Sequence, residues 1–412
     1  MSPWYNSQII KNSSYIKEVL YLKYNFDQII NRYNTNCAKY DCAKYLYQGI
    51  PDDVIPMWVA DMDFAVPPEV LAAMHDRIDQ GILGYTYVMD PGYSASIMRW
   101  MKDRFQWDIS NCTILPTGNV VDTLHHIVSL LTEPGDGVIV QPPVYPQFFN
   151  AVRGEGRTLV YNHLLSENGY YRIDFDDLEQ KARKKSNTLL ILCSPHNPTG
   201  RVWTREELLR VGEICLKNDV RIVCDEVHHD LIRQSQKHIP IASLFPTEKN
   251  IYTCTAPSKT FNVAGNNLSN LITADDSLLP RWSQAFHDSI SPIAVAATQA
   301  AYSLCDAWVN ELCEYLDESF LYMNQFFQEH LPKTRFQIPE GTYLAWIDFS
   351  AYESNPKLLY QKICQQAGVI LEKGSKYDPD NLDSTKYLRM NIACPRSILK
   401  DALERIASVL NN

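Results

Sequence analysis

Residues 254–265 read CTAPSKTFNVAG, a lysine set among small and weakly polar residues. The nearest charged positions along the chain are Lys249 and Asp275. An ammonium in such surroundings loses solvation, so its charged form is disfavoured and the amine becomes a usable nucleophile or base. Lys259 is therefore a candidate catalytic residue. Other polar groups recur at comparable places. Asn197 lies in SPHNPTG after the apolar run LLILC, Asp225 and His228 lie in DEVHHD after VRIVC, and Ser258 and Lys259 follow IYTCT. Gly118 and Asn119 stand at the start of VVDTLHHIVSLL, while Tyr145 and Arg389 lie in QPPVYPQF and YLRMNIA.

Taken one at a time, these residues have ordinary explanations. NPTG alone reads as a turn, Asp225 as a helix cap, and His228 as a satisfied polar residue. Gly118 before a helix is weak evidence of anion binding, because many helices begin with glycine. Tyr145 alone reads as packing, and Arg389 as the partner of a surface carboxylate. Their convergence is what sets them apart.

The elements that must position them alternate strand and helix, the signature of an α/β fold with a mostly parallel sheet between helices. Apolar runs predict strands at 138–140, 189–193, 220–224, 251–255 and 271–274. Val121, Leu124, Ile127, Val128 and Leu131 form a helical stripe, and Thr204 with Glu207 marks a capping-box helix start. Ligands of open α/β sheets gather beyond the carboxyl ends of the strands, where the polar groups above fall. From about residue 300 the pattern changes to a helical stretch at 294–330, TYLAWIDF alternating as a half-buried strand, a helix at 356–367, YLRMNIA and a terminal helix. This predicts a large domain over 65–300 and a smaller α+β domain built from both chain ends, 24–64 and 301–412, after an N-terminal extension over 1–23.

Length and charge narrow the function. A chain of 412 residues exceeds one compact core. Its net charge of −10 argues against general binding to nucleic acid or to anionic membrane surfaces, and no apolar segment has transmembrane length. MSPWYNSQIIKNSSYIKEVL lacks a continuous apolar stretch before a cleavage site, so it is not read as a signal peptide. The 11 cysteines form no C-x-x-C pair or zinc-like cluster; free thiols of a reducing cytoplasm, with no metal, are expected.

NPTG, then D-E-x-H, then S-K-T-F-N-x-A-G, then R-x-N, in that order, resembles the fold-type I pyridoxal-phosphate (PLP) enzymes of the class I/II aminotransferase superfamily. The intervals fit: 28 residues from Asn197 to Asp225 and 34 from Asp225 to Lys259. IPMWVADMDF (55–64), GILGYTY (81–87), QPPVYPQFF (141–149), CSPHNPTGRVWTREEL (193–208) and NIACPRS (391–397) are similar to the cystathionine β-lyase or C–S lyase branch. The resemblance runs from about Phe26 to the C-terminus.

The resemblance implies a role for each residue. Lys259 holds PLP as a Schiff base and, once displaced by the substrate amine, removes the Cα proton. Asp225 keeps the pyridine nitrogen protonated, Asn197 and His228 serve the phenolic oxygen, and Tyr145 stacks on the ring. Gly118, Asn119 and Val120 present backbone N–H groups to the phosphate, joined by the Ser258 hydroxyl. Tyr85 reaches the phosphate of a neighbouring subunit, which implies a homodimer with shared active sites. Arg389 clamps the substrate α-carboxylate.

Two departures accompany the match. Many aminotransferases carry an arginine eight residues after the lysine, where this chain has Asn267, preceded by Asn266; the lyase branch commonly lacks it too. Asn119 also stands where the branch usually has an aliphatic residue. Lyase and transaminase chemistry share their first carbanion, so β-elimination of cysteine S-conjugates is the leading expectation and transamination of an α-amino acid the runner-up. Regulation by protein contact, with catalysis secondary, is a third possibility, against which the intact set Lys259, Asp225, Asn197 and Arg389 speaks.

Overall fold

The computed structural model describes residues 24–412 apart from Met89 and Asp288, so the extension over 1–23 lies outside the described residues. A seven-stranded sheet forms the centre of the larger domain. Its strands are β1 (Thr113–Thr117), β2 (Gly137–Val140), β3 (Thr158–Tyr161), β4 (Asn187–Cys193), β5 (Arg221–Asp225), β6 (Ile251–Thr255) and β7 (Ser269–Thr273). They lie in the order β1-β7-β6-β5-β4-β2-β3. β7 is antiparallel to β1 and β6, and the other neighbours pair in parallel. β6 and β7 are buried at every residue, as helices covering both faces of a sheet require.

α1 (Pro68–Asp79) and α2 (Pro91–Phe105) precede β1, α3 (Val120–Leu131) follows it, and α4 (Arg205–Lys217) joins β4 to β5. The predicted capping box opens α4: the Thr204 hydroxyl accepts the Glu207 N–H, and the Glu207 carboxylate accepts the Thr204 N–H. In α3, Leu124, Ile127, Val128 and Leu131 enter the core. Val121, the fifth member of the predicted stripe, instead faces a cavity.

The smaller domain holds β8 (Arg335–Phe336), β9 (Leu344–Asp348), β10 (Glu372–Lys373) and β11 (Tyr387–Asn391), antiparallel in the order β8-β9-β11-β10. The early chain joins it. Ile55–Pro56 pairs in parallel with Val369–Ile370, and the Asn391 N–H donates to the Met57 carbonyl.

Three expectations change here. The helical stretch at 294–330 is two helices, α5 (Pro292–Leu304) and α6 (Asp306–His330), broken at Cys305 with φ −105° and ψ 23°. α5 packs on α1 and α2, whereas α6 packs on α7 (Arg396–Leu410) in the other domain, so the axis turns between them. β9 is buried at every residue rather than on alternate ones, because Trp346 faces the Tyr171 hydroxyl at 3.0 Å while Ala345 and Ile347 enter the helix-lined core. The helix at 356–367 is an α-helix over Pro356–Gln361 followed by a π-turn over Lys362–Gln366. All the cysteines are free, no metal-binding cluster occurs among the described residues, and none of their helices is long and apolar enough to cross a membrane.

Candidate active site

The carboxyl ends of β4, β5 and β6 open onto a cavity of about 150 Å³. Asn119, Val120, Tyr145, Asn197, Asp225, His228, Ser258 and Lys259 all line it. Gly118 stands behind the wall, its carbonyl accepting the Ser269 hydroxyl at 2.7 Å. Three larger hollows, of 280, 440 and 370 Å³, contain no residue of this set.

Lys259 belongs to the one-turn helix Pro257–Thr260 that follows β6. Its amine donates to the Ala60 carbonyl at 2.7 Å. Burial pulls the ammonium down to about 8, with Arg389 acting the same way and Asp61 and Asp225 opposing. Asp225 ends β5, and its Oδ1 accepts the Val227 N–H at 3.1 Å. Burial raises its carboxyl to about 6, against the lowering effects of that bond and of Lys259. His228 is held neutral, pushed well below its usual range by burial and then by Lys259 and Arg389. Its Nδ1 is buried with no partner among the described residues, and its ring meets Tyr343 edge-on at 5.7 Å.

Arg389 projects from β11, 4% exposed. Nη1 donates to Asn197 Oδ1 at 3.2 Å and Nη2 to the Trp58 carbonyl at 2.6 Å. The buried Nε has no partner among the described residues. The surface carboxylate that the residue could have paired with is absent from these contacts.

Sequence reasoning missed how the stretch 58–62 is held. It forms no ladder, and each of its carbonyls is taken by a side chain. Trp58 accepts Arg389, Val59 accepts Asn391, and Ala60 accepts both Lys259 and the Tyr343 hydroxyl. Asp61 accepts Asn391 and Lys39, and Met62 accepts Asn262 and Arg32. Buried carbonyls need partners, and these bring both domains onto one strap. Signals existed in IPMWVADMDF and TYLAWIDF, but a strap held through its main chain leaves no pattern in side-chain type.

The cavity meets the N-terminus of α3. Asn119 caps it, accepting the Asp122 N–H at 3.0 Å, so the amides of Val120 and Val121 have no carbonyl within the helix to reach. Such amides, with the helix dipole behind them, suit an anion. Asn267 also lines the cavity, in a left-handed conformation with φ 48°. Lys259 is the sole cation among the described lining residues.

Tyr85 is not brought to this cavity. It lies fully exposed beside Ile82, Leu83 and Tyr87, which are exposed as well.

The family model for aminotransferase class I and II matches residues 52–406. The chain belongs to this family. Among its aminotransferase class I and II relatives, the cystathionine beta-lyase PatB of Bacillus subtilis (strain 168) is 41% identical over 392 residues, covering 94% of this chain and 100% of that protein. The PLP-bound C-S lyase from Staphylococcus hominis is 36% identical with a TM-score of 0.89, covering 95% of this chain and 99% of its own. Cystalysin from Treponema denticola, whose crystals contain pyridoxal 5'-phosphate, is 34% identical with a TM-score of 0.90 over the same shares.

Proposed function

We propose that this chain is a PLP-dependent carbon–sulfur lyase that splits cysteine S-conjugates, cystathionine among them, into thiol, pyruvate and ammonia. The observation that carries it is a depressed lysine amine sharing one cavity with a buried carboxylate and with Asn197, whose amide oxygen is held by the buried guanidinium of Arg389. The cavity fits PLP by the chemistry of its donors. Lys259 offers an amine to the aldehyde, Asp225 an anion to the ring nitrogen, and Asn197 with the orphaned His228 Nδ1 polar atoms to the phenolic oxygen. Ser258 and the α3 amides would take the phosphate, and Tyr145 would cover the ring.

Bound there, PLP supplies an electrophilic carbon and an electron sink for a Cα carbanion. The chain's own groups do the rest. Arg389 would bind the α-carboxylate through Nε, the guanidinium nitrogen with no partner among the described residues, and so orient the substrate's Cα. Lys259 takes the Cα proton, and its low basicity keeps a useful neutral fraction near pH 8. The Cβ–S bond then breaks with its electron pair leaving on sulfur, which is protonated to the thiol. Water releases ammonia from the remaining three-carbon fragment, giving pyruvate. Lyase is preferred to transaminase by the likeness to a cystathionine beta-lyase at 41% identity. The reading includes a cytoplasmic homodimer in which Tyr85 serves the partner's site, consistent with its exposure.

Cystathionine or an S-alkylcysteine supplied without any keto acid tests the reading. Catalytic release of thiol and pyruvate is expected, and Lys259→Ala abolishes it. Turnover that needs 2-oxoglutarate and frees no thiol would assign a transaminase instead.

A further inference from the structure

We propose that Asp230 is a positioning residue that keeps the Lys259 turn in register with Asp225. The inference rests on the PLP reading above. Asp230 stands five residues beyond Asp225 on the same loop, with its side chain fully buried. Its carboxylate accepts Thr260 Oγ1 at 2.8 Å, and Thr260 adjoins Lys259. It also accepts Trp100 Nε1 and Arg104 Nε, each at 3.1 Å. The two elements that carry the ring carboxylate and the amine are thus tied through one anion.

Each end needs or provides rigidity. The helix Pro257–Thr260 has four residues, too few to hold its own shape by internal hydrogen bonds. Thr260 is fully buried, and its hydroxyl is the tether that fixes where Lys259 points. The loop at the other end is stiff. The His229 N–H donates to the Glu226 carbonyl and the Leu231 N–H to the His228 carbonyl, both at 2.9 Å. Glu226, buried as well, accepts His238 Nε2 at 2.9 Å and the Ile241 N–H at 3.1 Å.

Asp230 remains an anion throughout. Burial alone would raise its carboxyl, but His229, Arg104 and Thr260 together hold it at about 2. His229 Nε2 lies 3.0 Å from Oδ2, within ion-pair range yet out of line for a hydrogen bond. Asp230 therefore serves as a fixed anchor rather than a pH switch.

The test uses Thr260→Val, which removes the hydroxyl at constant shape, Thr260→Ser, which keeps it, and Asp230→Asn. In the holoenzyme, Thr260→Val lowers kcat about tenfold with KM little changed, as loss of one hydrogen bond to a charged group predicts, and Thr260→Ser restores it. The absorbance band of the lysine-linked cofactor titrates at a displaced midpoint in Thr260→Val and Asp230→Asn alike, and no further in the double variant. NMR of labelled lysine in cofactor-free protein places the Lys259 titration above its native midpoint in Thr260→Val and back at it in Thr260→Ser. Thr260→Val with native kcat and native midpoints, whatever its melting temperature, overturns the proposal. A native protein without a lysine-linked band would instead overturn the PLP reading, and the NMR titration still decides the role of Asp230.

Discussion

Arg389 and Asn197 meet across the domain boundary, with guanidinium Nη1 donating to the amide oxygen at 3.2 Å. The contact joins β11 to the loop after β4 and leaves Nε, buried, with no partner among the described residues. A buried donor without a partner costs about 1–3 kcal/mol, a cost that a bound carboxylate would remove. Arg389→Lys replaces the planar fork by a point charge. It is expected to lower kcat/KM for α-amino acid substrates about 10- to 100-fold, mostly through KM. Steady-state kinetics against a substrate series check it.

In cofactor-free protein the Lys259 ammonium, lowered from 10.5 to about 8, costs stability wherever it is charged in both states. That cost is complete below pH 8 and fades between 8 and 10.5, where the unfolded chain alone still binds the proton. Lys259→Met is therefore expected to stabilise the cofactor-free protein by about 3 kcal/mol below pH 8 and by little above 10.5. Denaturant midpoints across that range measure it.

Asp225 behaves in the opposite sense. Its carboxyl is raised from 3.8 to about 6, so the folded state binds the extra proton and stability falls as pH rises from 4 to 6. Asp225→Asn is expected to stabilise the cofactor-free protein by about 3 kcal/mol above pH 6, with no gain below 3.8. The same substitution should cost the holoenzyme at least about tenfold in kcat, because a charge-assisted bond to the ring nitrogen is lost.

Gly200 has φ +71°, and a Cβ there would sit 2.2 Å from Pro339 Cβ and 3.2 Å from the Gly341 carbonyl. Gly200→Ala is expected to destabilise the protein by about 1–3 kcal/mol or more. A lower denaturant midpoint at unchanged slope would register that loss.

The proposed homodimer, with Tyr85 serving the partner's site, predicts complementation. Lys259→Ala and Tyr85→Ala should each be inactive as pure proteins. Mixed under conditions that exchange subunits, they should regain thiol release, since one site of each hybrid holds both native residues. Hybrids that form without regaining activity would confine each site to one chain.

Much of this arrangement was legible beforehand. The runs LLILC, VRIVC and IYTCT are strands because they are apolar enough to be covered on both faces, and the polar residues just beyond them line one cavity. What escaped reading depends on partners distant in sequence. The break at Cys305 follows from two helices choosing different domains, and no local residue announces it. β9 looked half-buried because its alternation is real, yet Tyr171 covers the face that would otherwise meet water. Asp230 drew no notice in DEVHHD, because Thr260, Trp100 and Arg104, which converge on it, are distant in sequence.

The strap at 58–62 is gripped largely through its main chain, since carbonyl oxygens are what Arg389, Asn391, Lys259, Asn262 and Lys39 hold, while the Asp61 carboxylate on Arg32 and the Trp58 indole on the Lys39 carbonyl add side-chain ties. Every amino acid brings that same oxygen. The carbonyl contacts thus place no demand on the identities of Val59 and Ala60, but Ala60 also lines the cavity, so a larger side chain there would take up room beside the reactive amine.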